Sequence, residues 1–148
     1  MSALDCLQTS SPTGNKPFDG RYCEYFNLLQ KEKFFEAHEA LESLWLETKG
    51  PERNFYQGLI QLAALLVHFQ RNNLTGAQEL FKSASRYLAD YPGEHQGVSI
   101  GAVLNAFSKF LNAWSTQSAS LAEKHLPPII LKRDSNKKSS ETPFEGEG

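Results

Sequence analysis

The sequence predicts an all-α fold: a compact bundle of about five helices in which consecutive helices are antiparallel neighbours. Through the middle of the chain, apolar residues recur at the three- and four-residue spacing of a helix, and no run alternates with period two. Proline, glycine and asparagine pairs interrupt the helical runs and leave only short connections, which favour antiparallel packing. A chain of 148 residues with 40% hydrophobic residues is expected to form one domain.

Two helices are predicted in the first third of the chain. The first has its apolar positions between Tyr22 and Leu29 at helical spacing. The second covers residues 34–48 and is stopped by Gly50-Pro51, since glycine ends helices and proline cannot continue them.

Three more helices are predicted to follow. Pro51 can begin the third, which runs to about residue 71 and ends at Asn72-Asn73. The fourth covers residues 74–88 and is followed by Pro92-Gly93, and the fifth covers residues 103–114.

The ends of the chain differ in composition from its middle. Residues 1–16 are expected to be a flexible arm, residues 17–126 the helical domain and residues 127–148 a disordered tail. The net charge of −2 argues against nucleic-acid binding, and no apolar stretch is long enough to span a membrane. Because the N-terminus also lacks the features of a secretory signal, the expected location is the cytoplasm.

The second predicted helix carries a histidine and a carboxylate at the border of its apolar side. His38 and Glu42 are four residues apart, so their side chains can meet, and Trp45 lies beside them on the helical wheel. Such a pair can act as an acid–base pair or supply two metal ligands. The interpretation that the spacing favours is an ordinary helix-stabilising pair at the rim of the core.

The third predicted helix is apolar over most of its circumference and is expected to be central and largely buried. Gln57, Gln61 and His68 nevertheless form one uncharged polar stripe along it, together with Ala64. Buried amides and imidazoles need hydrogen-bond partners, and the natural ones are His38 and Glu42 on the preceding helix.

The sequence therefore predicts a polar pocket between the second and third helices, with Glu39 near its mouth. A satisfied network that fixes the register of the two helices is one interpretation. The other is a metal or acid–base site, because two imidazoles and one or two carboxylates suit a first-row divalent ion. Neither the H-E-x-x-H motif of zinc proteases nor the paired E-x-x-H motif of di-iron proteins is present. His95, in a PGEHQG loop, is expected to face solvent.

Three stretches together resemble a known family. They are FFEAHEALESLW at residues 34–45, FYQGLIQ at residues 55–61 followed by His68, and Asn73-Leu74-x-Gly76-Ala77. In combination they are similar to the domain of unknown function 309 family of small bacterial and archaeal proteins, over about residues 20–110. The resemblance implies an all-α bundle, a cytoplasmic location and a metal-dependent hydrolase, a tag that carries no established reaction. The polar motif positions of the family match here at Glu36, His38, Glu39, Glu42, Gln57, Gln61 and His68.

Two hypotheses of different classes follow. In the first, His38, Glu42 and His68 hold a divalent metal ion, Glu39 is the general base, and Gln57, Gln61 and Trp45 line the pocket of a hydrolase. In the second, the chain is a non-enzymatic helical interaction module that binds a protein or associates with itself, and the polar network is structural.

Overall fold

The computed structural model describes residues 18–91 and 93–129, which fold into six helices and one small hairpin. The helices are α1 (Gly20–Gln30), α2 (Phe34–Glu47), α3 (Glu52–Gln70), α4 (Leu74–Leu88), α5 (Ile100–Thr116) and α6 (Ala119–Glu123). The first five agree with the predicted helices to within three residues at each end. The predicted all-α class is therefore confirmed.

The expectation that the chain has no sheet is wrong in one place. Glu94–His95 (β1) pairs with Val98–Ser99 (β2) as a two-stranded antiparallel hairpin. Gln96 and Gly97, with φ of +46° and +78°, form its two-residue turn, as hairpin twist requires. Strands of two residues are too short to show an alternating pattern. The short helix α6 was likewise not predicted.

Tight turns bring consecutive helices alongside one another from α1 to α4. The connections are residues 31–33, 48–51 and 71–73, and each contains one residue in the left-handed region. These residues are Glu32 (φ +59°), Gly50 (φ +84°) and Asn72 (φ +56°). Because a left-handed residue just after a helix turns the chain away from the helix axis, each turn allows the next helix to fold back.

Helix α3 lies at the centre of the bundle, as its apolar composition predicts. Ten of its nineteen residues are buried. The hydroxyl of Tyr25 on α1 donates a hydrogen bond to the carbonyl oxygen of Leu59, 2.6 Å away, and burial raises the pKa of this tyrosine. On another side of α3, Gly58 lies directly against Leu88 of α4.

The C-terminal part of the described chain closes the core. Phe69 of α3 makes edge contacts with Phe110 and Trp114 of α5, each with ring centroids 4.9 Å apart. Pro127 and Ile129 are buried, so the packed chain extends three residues beyond the predicted boundary at residue 126. The predicted arm and residues 130–148 of the predicted tail lie outside the described residues. Within the described ranges, no helix is long and apolar enough to cross a membrane.

Candidate functional site

The polar stripe of α3 is its most accessible face. Gln57, Gln61, Ala64 and His68 are all half-buried, whereas most of the remaining surface of the helix is buried. At 100° per residue the four residues span about 60° around the helix axis, so they form one narrow face. Most of α3 is thus buried by other parts of the protein, and this face is partly accessible to solvent.

His38 and Gln61, on facing helices, each keep one polar atom without a partner. Nδ1 of His38 and Oε1 of Gln61 are buried, and neither has a hydrogen-bond partner among the described residues. The His38 ring instead stacks on Phe35, with centroids 5.9 Å apart. The predicted network between α2 and α3 is therefore incomplete at these two atoms. A buried polar atom without a hydrogen bond destabilises the folded state.

His68 is engaged at the junction of α3 and α4. Its Nδ1 accepts a hydrogen bond from Nδ2 of Asn73 at 3.0 Å, while Oδ1 of Asn73 accepts one from the amide of Gly76 and caps α4. A Cβ atom at Gly76 would lie 2.6 Å from Nδ2 of Asn73 and 3.1 Å from Cε1 of His68. A side chain at this position would therefore have to displace the Asn73 amide that caps α4.

Replacing Asn73 with alanine is expected to lower the free energy of unfolding by about 1 kcal/mol, since α4 loses its cap. The measurement is urea denaturation. Asn73→Asp is the matched control, because aspartate keeps the acceptor for the Gly76 amide but not the donor to His68. If the alanine and aspartate variants are equally stable, the capping role is wrong.

The described residues do not form a metal-binding group. No set of three or more histidine, cysteine, aspartate or glutamate side chains within residues 18–91 and 93–129 is arranged to hold a metal ion. In addition, one ring nitrogen of His68 is already hydrogen-bonded to Asn73. This donor arrangement does not match a three-ligand divalent site. The ligand roles of His38, Glu42 and His68, and the general-base role of Glu39, stay predictions.

Trp45 fixes the corner between α2 and α3. The guanidinium of Arg53 lies 4.0 Å from the centre of the Trp45 ring, a cation–π contact. The same guanidinium donates to the carbonyl oxygens of Trp45 and Thr48, at 3.1 and 3.0 Å. A structural role thus accounts for this tryptophan, and its role in lining a pocket stays a prediction.

A second polar cluster, which the sequence did not predict, joins the hairpin to the start of α3. Oε1 of Glu52 lies 2.8 Å from Nε2 of His95 and accepts a hydrogen bond from Nε2 of Gln96 at 2.6 Å. The hydroxyl of Tyr22 donates to the carbonyl oxygen of Gln96 at 2.6 Å, and burial raises the pKa of Tyr22 and Tyr56. The expectation that His95 faces solvent is wrong, because this network holds it half-buried.

The outward side of α2 carries the exposed apolar side chains. Among the described residues, the large hydrophobic side chains that stay exposed are Phe35 and Leu46, with 48% and 67% of their surface accessible. Eleven positions apart, they lie within about 20° of each other around the helix. Along the helix axis, Glu39 and Glu42 lie between Phe35 and Leu46. Around the axis, one glutamate lies on each side of this apolar pair. We call these four residues the α2 strip.

Comparison with known proteins gives a partial match. The family model described as "Domain of unknown function (DUF309)" matches residues 22–80, which contain all of α2 and α3. The chain is 39% identical over 66 residues to "Uncharacterized protein YpuF" of Bacillus subtilis (strain 168), a match covering 44% of this chain and 36% of that protein. It is 32% identical over 71 residues to an "Uncharacterized protein" of Aquifex aeolicus (strain VF5), covering 47% and 21%. The matches span about a third and a fifth of the two relatives.

Proposed function

We propose that this chain is a helical interaction module that binds another protein through the α2 strip. The observation that carries the proposal is the exposure of Phe35 and Leu46 on one side of one helix. Single exposed hydrophobic residues are ordinary, so the proposal depends on the two residues sharing one side of α2 rather than on the exposure of either residue alone.

The dimensions of the α2 strip suit a protein partner. At a rise of 1.5 Å per residue, Phe35 and Leu46 are about 16 Å apart along the axis, which is about three turns. The ring of Phe35 is stacked on the His38 ring, with centroids 5.9 Å apart. This contact restricts the Phe35 side chain before binding, which limits the entropy that binding would cost there.

The hydrolase hypothesis is the second candidate, and the buried, unpartnered Nδ1 atom of half-buried His38 favours it. The resemblance implies a divalent metal, but the described donors do not form a three-ligand group. We therefore expect chelator-free protein to contain less than stoichiometric metal, and its melting temperature to stay unchanged when zinc, manganese or iron salts are added. Stoichiometric metal in the purified protein would favour the hydrolase over the interaction module.

Site-specific crosslinking in the cells that produce this chain tests the interaction module. A photoreactive amino acid in place of Leu46 is expected to yield a discrete protein adduct, and the same amino acid in place of Asn105, exposed on α5, is expected to yield none. The captured protein is then purified and titrated against the wild-type chain and the Phe35→Ser, Leu46→Ser double variant. We expect the double variant to lose most of the affinity. Equal affinity for both would contradict the proposal.

A further inference from the structure

We infer that the partner of the α2 strip is a positively charged amphipathic helix, an inference that rests on the proposed function. The strip has two apolar contacts at its ends and two carboxylates in its middle. A complementary helix presents apolar residues at its two ends and lysine or arginine between them, on the same side.

The charge of α2 determines the sign of the partner. The helix contains four glutamates and no lysine or arginine. Glu47 is paired with Arg21, at 3.0 Å. Glu39 and Glu42 make no ion pair with any side chain in the part of the chain that the structure describes. Two uncompensated carboxylates thus lie between the apolar contacts, where basic side chains would be attracted and acidic ones repelled.

The chemistry of the α2 backbone determines the conformation of the partner. The amide and carbonyl groups in the middle of α2 are already hydrogen-bonded within the helix, so the strip offers no backbone groups to an extended peptide. A strand laid on it would leave its own backbone groups unpaired against an apolar surface, while a helix satisfies its own. The spacing of about three turns also suits a helix whose contacts recur every three to four residues.

The same charges argue against a second copy of this chain as the occupant. In a symmetric antiparallel pairing of two α2 helices, Phe35 of one copy would meet Leu46 of the other. Glu39 and Glu42 would then lie opposite the same two glutamates of the second copy. Like charges brought together at an interface oppose association, so the strip favours a partner of opposite charge.

Designed helical peptides test the inference with the full chain and a defined probe. One peptide carries leucines eleven positions apart with lysines between them, and a second has glutamates in place of the lysines. A third has the composition of the first in scrambled order. Fluorescence anisotropy is measured at low and at high salt. We expect the lysine peptide to bind at least about tenfold more tightly than the other two, with affinity that falls as salt rises.

Matched variants separate charge from apolar contact. The Glu39→Gln, Glu42→Gln double variant is expected to reduce binding of the lysine peptide about tenfold and to remove most of its salt dependence. The control is Glu79→Gln with Glu123→Gln, which removes two exposed carboxylates outside the strip and should leave binding unchanged. All of these side chains are exposed or half-exposed, so unfolding curves should show little change.

The possible failures are distinguishable. If the glutamate peptide binds as well as the lysine peptide, and Phe35→Ser with Leu46→Ser removes both, the partner chemistry is wrong and the interaction module stands. If the lysine peptide binds more weakly than about 1 mM, the inference is wrong, whatever the crosslinking experiment shows. If sedimentation shows a dimer that the Phe35→Ser, Leu46→Ser double variant dissociates, the occupant is a second copy.

Discussion

Gly58→Val is expected to lower the free energy of unfolding by about 2–3 kcal/mol, because α3 and α4 meet with no room for a side chain at this position. A Cβ atom at Gly58 would lie 2.6 Å from Cγ of Leu88, which is 1% exposed and held in the core. The branch point of a buried leucine cannot move without shifting its neighbours, so the two helices must separate. Urea denaturation measures the loss.

Gly101→Val is the matched control, since the same substitution on α5 meets open space. It should change the free energy of unfolding by no more than about 0.5 kcal/mol. Leu88→Ala supplies a second check, because it removes the atoms with which the new valine collides. Its cost should be smaller in the Gly58→Val background than in the wild type. Equal losses for the two glycine variants, together with additive costs at Leu88, would contradict the close approach of α3 and α4.

The helices could be predicted from the sequence because both signals for them are local. Apolar spacing marks the buried side of each helix, and Gly50, Pro51 and the asparagines at 72–73 interrupt the spacing where the chain turns. The hairpin depends instead on two residues with positive φ between strands of two residues. Its turn is Gln-Gly rather than the more usual Asn-Gly or Asp-Gly, so no strong local signal marks it.

The candidate site could be predicted only in part, because the position of a residue on a helix is local but its neighbours on other helices are not. Gln57, Gln61 and His68 share one face, as the spacing predicts, but this face is half-buried rather than enclosed between two helices. Which atoms pair is decided by packing: Asn73 occupies a nitrogen of His68, and Oε1 of Gln61 stays unpartnered. The contact between Glu52 and His95 joins residues 43 positions apart, a distance over which periodicity carries no information.

The motif residues divide into two groups according to what the structure explains. Gly58 lies against Leu88 with no room for a Cβ atom, Gly76 lies against the Asn73 and His68 side chains, and Asn73 caps α4. Packing and capping therefore account for these positions without any ligand. By contrast, Phe35 is exposed on α2, and Glu39 makes no ion pair within the described ranges. Phe35 and Glu39 are thus motif residues on the α2 strip for which packing and capping give no account, which is consistent with a binding role for that surface.

Phe55→Ala is expected to lower the free energy of unfolding by about 3–5 kcal/mol, the largest single effect that we predict. Phe55 is fully buried where α1, α3 and the hairpin meet. Its ring centroid lies 6.3 Å from that of Tyr22, 5.4 Å from that of Tyr91 and 4.5 Å from that of His95. Removing the ring leaves a cavity that these aromatic side chains cannot fill without breaking the hydrogen bonds that hold them.

Phe35→Ala is the control for Phe55→Ala, because it makes the same chemical change on the exposed side of α2 and should cost no more than about 0.5 kcal/mol. Hydrogen exchange gives a second readout, since the amide of Ile100 donates to the carbonyl oxygen of Gly93 at the base of the hairpin. If Phe55 holds the hairpin on α3, this amide should exchange faster in Phe55→Ala, measured where the variant is still folded, and at the wild-type rate in Phe35→Ala. A Phe55→Ala variant that loses stability but keeps the wild-type exchange rate at Ile100 would mean that the Glu52–His95–Gln96 cluster holds the hairpin without the ring.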